Sequence, residues 1–170
     1  MRTQERIASA ETQLYRIHSF FPRIDTRVGA ISALILAEIA TAALNVKPGD
    51  ISLWYISLPA VCLLASNVIA AYHIWKCLFP DPRGGAQSYI HFAQIAARTE
   101  AIFIHEYNQL TDEQILKDLS AQIWRNSEIV RDKYHSLKLA MTFGTIAIPF
   151  WIILLSSTSL SHSMIPIVKV

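Results

Sequence analysis

The sequence predicts an all-α membrane protein with three transmembrane helices and a helical cytoplasmic region between the second and the third. Three observations lead to this prediction: 52% of the 170 residues are hydrophobic, only 16% are charged, and the hydrophobic residues form three long runs. An ordinary soluble domain carries about 25% charged residues. A disordered chain would combine low hydrophobicity with high net charge, whereas the formal net charge here is +2.

Each of the three apolar runs is long enough to cross a bilayer. They extend over residues 28–46, 51–75 and 139–160, and a helix needs about 20 residues to span a hydrocarbon core of about 30 Å. Between the first two runs, the linker KPGD at 47–50 predicts a tight turn. The first two spans are therefore expected to form an antiparallel hairpin.

Basic residues are distributed unevenly around these spans. Of the 15 lysines and arginines, all but Lys47 and Lys169 lie before the first span or between the second and the third. Cytoplasmic loops carry such an excess, so we expect the N-terminus to be cytoplasmic and the C-terminus to lie outside. The predicted segments are a cytoplasmic amphipathic helix (1–24), a transmembrane hairpin (25–79), a cytoplasmic helical region (80–136), a third transmembrane helix (137–160) and an outer tail (161–170).

Apolar periodicity predicts the N-terminal helix. Ala10, Leu14, Ile17 and Phe21 share one helical face. Because proline cannot continue a helix that precedes it, we expect this helix to end at Phe21-Pro22.

Two further helices are predicted between the second and third spans. The sequence PDPRGG at 80–85 ends the second span, and one helix is expected from about 88 to 110. Thr111 and Gln114 have the spacing of a capping box, which predicts another helix start. No Pro or Gly follows before Gly144, so this helix is expected to continue without interruption into the third span.

Two polar side chains, Glu38 and Asn67, lie at similar depth inside the first two spans. An ionised side chain at the bilayer centre costs about 2.5–3.5 kcal/mol, and such residues are candidates for function. Two interpretations are open. A neutral Glu38 could hydrogen-bond Asn67 and hold the hairpin together, or a ring of Glu38 side chains could line the pore of a homo-oligomer.

Small residues recur at every fourth position of the first span, at Gly29, Ala33, Ala37 and Thr41. This spacing permits close approach of helix backbones. It fits the hairpin contact and a contact between subunits equally well.

No pattern in the sequence indicates an enzyme, and no residue is assigned a catalytic role. The P-loop, the HExxH motif and the Rossmann fingerprint are missing. The six histidines have no helical metal-ligand spacing, so we expect no metal site, and we expect no nucleic-acid partner.

Two stretches, RIDTRVGA at 23–30 and QIWRNSEIVRDKYHSLKLA at 122–140, carry a family resemblance. Together with the order of two spans, helical insert and one span, they resemble the transmembrane effectors of the bacterial Pycsar anti-phage system. The resemblance covers almost the whole chain. Arg27 departs from it, since a lysine is expected there, but the positive charge is kept.

The resemblance implies a function at the bacterial inner membrane. A cyclase makes cyclic CMP (cCMP) or cyclic UMP (cUMP) during infection, and the effector senses this cyclic pyrimidine nucleotide and impairs the membrane, causing abortive infection. The implied partners are the nucleotide, the lipid bilayer and further copies of the chain. No cofactor beyond the activating nucleotide is implied.

A candidate ligand site follows from this implication. Gln122, Asn126, Ile129 and Lys133 form one stripe of a helix. A cyclic mononucleotide is a monoanion that needs a cation at its phosphate. We therefore expect Arg27 and Lys133 near the phosphate and Asn126 at the base, with Tyr89 or Trp124 stacking on the ring.

A structural role for the same residues remains open, because Asp25 and Lys133 could simply form an ion pair at the membrane edge. Three other functions also remain open. They are a constitutive holin-like pore-forming toxin, a membrane adaptor without nucleotide binding, and an effector activated by a cyclic dinucleotide.

Overall fold

The computed structural model describes residues 2–80 and 88–163, and no strand occurs among them. The expected turn at 80–85, apart from Pro80, lies outside the described residues, as do Lys169 and most of the predicted outer tail. Three helices are long and apolar enough to cross a membrane. The predicted fold class, an all-α protein with three such helices, is confirmed.

The N-terminal region contains two helices where the sequence predicted a stop at Pro22. Helix α1 is Thr3–His18, and α2 is Phe20–Asn45. Pro22 lies in the first turn of α2, where the N–H that proline lacks would have no helical partner in any case. The predicted stop was therefore misplaced by a few residues, and Pro22 belongs to the first turn of the helix that carries the first span.

The hairpin turn is a short 3-10 helix, Pro48–Ser52, followed by α3 at Trp54–Leu78. Asp50 Oδ2 accepts a hydrogen bond of 2.8 Å from the backbone N–H of Lys47, which closes the turn. Pro59 lies inside α3 without ending it.

The segment expected to be one helix from 88 to 110 is two short helices. These are α4 at Phe92–Ala96 and α5 at Glu100–Tyr107. The side chain of Thr99 accepts a hydrogen bond from the backbone N–H of Ile102 at 3.4 Å and so begins α5. Periodicity alone did not reveal this cap.

Helix α6 runs from Asp112 to Ser163 without interruption. The predicted capping box is present at its start. The Thr111 backbone N–H donates to Gln114 Oε1 at 2.8 Å, and the Gln114 backbone N–H donates to Thr111 Oγ1 at 3.3 Å. Prediction and structure therefore agree on a single long helix that contains the third span.

The chain divides into two compact units, and α6 contributes to both. We name the part within Met1–Ile24 and Phe79–Tyr134 the amphipathic unit, and the part within Asp25–Leu78 and His135–Val170 the spanning unit. The amphipathic unit has a core in which α1 packs on α6, made of Ile7, Ala10, Leu14 and Leu119. In the described part of the spanning unit, one apolar cluster is centred on Ile56, Leu63, Ala147 and Leu154 and another on Ile31, Ile35 and Ala70.

Candidate functional site: two cavities and a buried polar pair

A groove of about 390 Å³ lies between α1 and α6 of the amphipathic unit. Its volume falls within the range of about 300–1,000 Å³ that small-molecule sites occupy. We name it the α1–α6 groove and define it by Arg6, Ser9, Ala10, Gln13, Leu116, Ser120 and Ile123.

The polar side chains of the α1–α6 groove have free hydrogen-bonding capacity. Within 2–80 and 88–163, the side chains of Arg6, Ser9 and Gln13 make no hydrogen bond or ion pair. Ser120 Oγ donates to the carbonyl of Leu116 at 2.8 Å, which leaves its oxygen as an acceptor. The groove thus offers one cation and several neutral polar groups above an apolar floor.

A second cavity of about 190 Å³ lies where α1, α5 and the start of α6 meet the segment at residue 89. We name it the tyrosine cavity. Its polar and aromatic lining residues are Glu11, Tyr89, Tyr107, Gln114 and Asp118. Among the described residues, two carboxylates and no lysine or arginine line this space, so its charge is opposite to that of the α1–α6 groove.

A polar network anchors the segment at Ser88 to α6. Ser88 Oγ accepts hydrogen bonds from the backbone N–H groups of Ile90 and His91, at 3.1 and 3.0 Å, and from Gln122 Nε2 at 3.1 Å. Both Ser88 and Gln122 are buried. Gln122, one member of the predicted ligand stripe, therefore makes a structural hydrogen bond in this conformation.

Tyr89, a predicted stacking residue, lies within the same network. Its backbone N–H donates to Asp118 Oδ2 at 2.7 Å, and the Arg98 guanidinium carbon lies 4.5 Å from the ring centroid. Arg98 also pairs with Glu106 at 3.1 Å. One face of the Tyr89 ring is thus occupied by a cation, while the residue also lines the tyrosine cavity.

The three predicted ligand-binding residues lie in different environments. Asn126 and Lys133 belong to the amphipathic unit, and Arg27 belongs to the spanning unit, where it is exposed. Asn126 Nδ2 donates to the backbone carbonyl of Gln122 at 2.8 Å. Lys133 is buried, with its Nζ 5.5 Å from the centroid of the Phe21 ring. Neither cavity described above includes any of the three, and their role in binding stays a prediction.

Glu38 and Asn67 are deeply buried in the spanning unit, each with 1% of its surface exposed. Asn67 is a polar neighbour of Glu38. Nevertheless, neither oxygen of the Glu38 carboxyl and neither polar atom of the Asn67 amide has a hydrogen-bond partner in the described part of the chain. The expected hydrogen bond between them lacks good geometry in this conformation, and the pore-lining role of Glu38 stays a prediction.

The small-residue stripe of α2 faces outward over most of its length. Gly29, Ala33 and Ala37 are exposed, whereas Thr41 Oγ1 accepts a hydrogen bond of 2.7 Å from Trp151 Nε1 of α6. Asp25, predicted as a structural or pore residue, is exposed near the start of α2. The C-terminal end of the stripe therefore takes part in packing within the spanning unit.

The hairpin turn and the end of α6 are joined by a polar contact. His162 Nε2 lies 3.1 Å from Asp50 Oδ2. The hydrogen bond from the Lys47 backbone is the main cause that holds the pKa of Asp50 below its ordinary value of 3.8, and His162 acts in the same direction. The charged Asp50 carboxylate therefore links the turn between the first two spans to the end of α6.

Sequence reasoning missed the residues of the α1–α6 groove, although a signal for them exists. Arg2, Arg6, Ser9, Gln13 and Arg16 are spaced at i, i+4, i+7, i+11 and i+14 on α1. They form a basic and polar stripe beside the apolar one. The apolar periodicity of α1 identifies its core-facing positions and not the polar stripe beside them.

The arrangement defines a class of protein: a three-span helical membrane protein with a cavity-bearing amphipathic unit, in which no cluster of residues suited to hold a metal ion occurs among the described residues. The model of the Pycsar effector protein domain, PycTM, matches residues 9–158. The chain therefore belongs to the Pycsar effector family, as the resemblance predicted, and has the role of an effector in anti-phage defence. No curated protein and no solved structure was found to match it.

Proposed function

We propose that the protein senses a cyclic pyrimidine nucleotide, cCMP or cUMP, through its amphipathic unit and responds by impairing the bacterial inner membrane. The observation that carries this proposal is the continuity of α6. One helix of 52 residues forms a wall of the α1–α6 groove and continues as the third span. Rearrangement of its first half on ligand binding can therefore act on the span directly.

The proposed orientation follows from charge. The basic residues of the amphipathic unit favour a location in the cytoplasm, where the nucleotide would be made, with the hairpin turn at 47–50 on the outer side. The C-terminus then lies outside. In this orientation the α1–α6 groove opens to the compartment that contains the messenger.

The proposed mechanism is a shift between two packings of the spanning unit. In the described conformation, Glu38 and Asn67 are buried without hydrogen bonds. A buried polar group without a hydrogen-bond partner costs about 1–3 kcal/mol. This packing is therefore less stable than one in which the pair is hydrogen-bonded. A second packing, in which water or a neighbouring subunit reaches the pair, recovers that energy and admits polar groups into the membrane.

Several contacts must contribute to sensing. A micromolar dissociation constant requires about 8 kcal/mol, while each charge-assisted hydrogen bond contributes about 1.5–3 kcal/mol. Lys133 and Asn126, together with Arg27, remain proposed participants. We also propose that the active form is a homo-oligomer, because one three-helix unit has too few helices to enclose a water-filled path.

Purified full-length protein in dye-loaded vesicles tests the proposal. We expect cCMP or cUMP at micromolar concentration to release the dye, and cAMP and a cyclic dinucleotide at the same concentration to release none. Calorimetric titration of the detergent-solubilised protein with the four nucleotides reports binding separately from leakage.

The alternative functions give different results in this experiment. Release without any nucleotide identifies a constitutive holin-like toxin, and release with the cyclic dinucleotide alone identifies a different messenger. A result in which no nucleotide binds and no dye is released identifies a membrane adaptor. Each of these three results would overturn the proposed sensing of cyclic pyrimidine nucleotides.

A further inference from the structure

The two cavities described in the amphipathic unit differ in charge and volume, and of these two the α1–α6 groove suits an anion. The α1–α6 groove, at about 390 Å³, carries the guanidinium of Arg6 and no carboxylate. The tyrosine cavity is about 190 Å³, below the usual range for small-molecule sites, and it is lined by Glu11 and Asp118. A phosphate monoanion is repelled from the second space and attracted to the first.

We propose that the α1–α6 groove is the cyclic mononucleotide site, with Arg6 binding the cyclic phosphate. This inference rests on the proposed function and adds to it the location of the ligand. A guanidinium presents parallel N–H donors that match two phosphate oxygens. Since Arg6 makes no ion pair in the described part of the chain, no internal contact must be broken before it binds the phosphate.

The remaining groove residues match the other parts of the ligand. Gln13 offers both an amide donor and a carbonyl acceptor, which suits the edge of a pyrimidine base. Ser120 Oγ, whose hydrogen is directed to the Leu116 carbonyl at 2.8 Å, is left to accept from the 2′-hydroxyl. Leu116 and Ile123 provide an apolar surface for the flat face of the base.

The location couples binding to the membrane. Arg6, Ser9 and Gln13 are on α1, whereas Leu116, Ser120 and Ile123 are on α6. A ligand held by both helices fixes their relative position more tightly than the apolar contact alone. Because α6 continues into the third span, the nucleotide acts on the helix that leads into the membrane.

Titration calorimetry on solubilised full-length Arg6→Gln, with cCMP and cUMP as ligands, tests the phosphate contact. Loss of a charge-assisted contact predicts binding weakened about 10- to 100-fold. Lys117→Gln removes a charge from the adjacent exposed position of α6 that does not line the groove, and it should stay within about twofold of the wild type.

Ser120→Leu tests the same site from the other helix by filling the groove, and it should abolish binding. Its matched control is Ser127→Leu. Ser127 is also an exposed α6 serine that donates to a backbone carbonyl, that of Ile123 at 2.7 Å, but it lies outside the groove. Thermal unfolding followed by circular dichroism establishes that all four variants fold.

The outcomes separate this inference from the proposed function. If the wild type binds neither nucleotide, the proposed function is wrong. If the wild type binds but Arg6→Gln and Ser120→Leu bind equally well, sensing stands and the site lies elsewhere. In that case, weakened binding by Lys133→Ala would locate it at the predicted ligand stripe.

Discussion

A buried polar pair in the amphipathic unit is hydrogen-bonded, whereas a buried polar pair in the spanning unit has no hydrogen-bond partner among the described residues. In the amphipathic unit, Ser88 and Gln122 are buried and hydrogen-bonded to each other. In the spanning unit, Glu38 and Asn67 are more deeply buried and none of their polar side-chain atoms has a partner among the described residues. The comparison shows that the first pair is satisfied in this conformation and that the second lacks hydrogen-bond partners of good geometry among the described residues.

The difference also assigns different tasks to the two units. A hydrogen-bonded network such as that around Ser88 favours one arrangement of its segments. An unsatisfied pair inside a membrane favours whichever arrangement supplies a partner. The Ser88 network therefore favours one position of its segment on α6, and in the proposed mechanism the spanning unit is the part that changes its packing.

The largest expected effect comes from Glu38→Leu, which removes the unsatisfied carboxyl from the spanning unit. Replacement of an unpaired buried polar group by an apolar one stabilises the packing that buries it. We expect a higher unfolding temperature and loss of nucleotide-triggered dye release from vesicles. Ile39→Leu, at the next and exposed position of α2, is the control and should release dye like the wild type. Unchanged release by Glu38→Leu would show that the carboxyl plays no part in membrane damage.

The same kind of change should have the opposite sign in the amphipathic unit. Ser88→Ala leaves the N–H groups of Ile90 and His91 and the amide of Gln122 without their acceptor, and should lower the free energy of unfolding by about 2 kcal/mol. Denaturation in detergent, followed by circular dichroism, measures this loss. Ser127→Ala, an exposed serine of α6, should change the value by less than about 0.5 kcal/mol. Equal values for the two variants would mean that the contrast between the units does not hold.

A smaller effect is expected where α6 approaches α2 inside the spanning unit. A Cβ atom at Gly144 would lie 2.6 Å from Ile31 Cδ1, so Gly144→Leu should destabilise the unit by about 1 kcal/mol. The value is at the low end of the range for overpacking because Cδ1 is the flexible end of its side chain. In a background that carries Ile31→Ala, which removes the clashing atom, Gly144→Leu should cost less stability than it does in the wild type.

The matched control for this prediction is Gly29→Leu. A Cβ at Gly29 meets nothing within 4 Å in the described structure, so the added side chain should cause no clash. Equal loss of stability in the Gly29 and Gly144 variants would show that close packing at Gly144 is not the cause.

The smallest effect concerns pH and the turn of the hairpin. The pKa of Asp50 is lowered in the folded protein from its ordinary value of 3.8. Its carboxylate therefore contributes stability that is fully present above about pH 4 and is lost as the pH falls through the lowered pKa. Asp50→Asn should flatten the acid limb of the unfolding-temperature profile below pH 4. A profile for the variant that still parallels the wild type would exclude Asp50 as its source.

The elements of the fold were predictable to different degrees. Thr111 and Gln114 predicted the start of α6, because both partners of a capping box lie within one turn of the chain. Pro22 was misread as a helix end, because proline disrupts what precedes it but is compatible with the first turn of a following helix. The break between α4 and α5 was missed because Thr99 gives a weaker local signal than proline or glycine.

The candidate site divides in the same manner. Glu38 and Asn67 could be identified from the sequence, since a polar residue in an apolar run is visible at once. Whether they bond each other could not be identified, because it depends on the rotation of α2 against α3. The α1–α6 groove was missed because its two walls lie about a hundred residues apart in the chain, from Arg6 to Leu116.

By itself, the sequence determined the class of the protein: three apolar runs, a bias of positive charge and a helix without breaks from residue 112 onward. These properties follow from composition and local spacing, because the partition of a segment between water and lipid depends on its own residues. Tertiary structure alone decided which polar side chains found partners and where a cavity of useful size remained. Both depend on which residues of one helix pack against another, and no local pattern in the sequence specifies that packing.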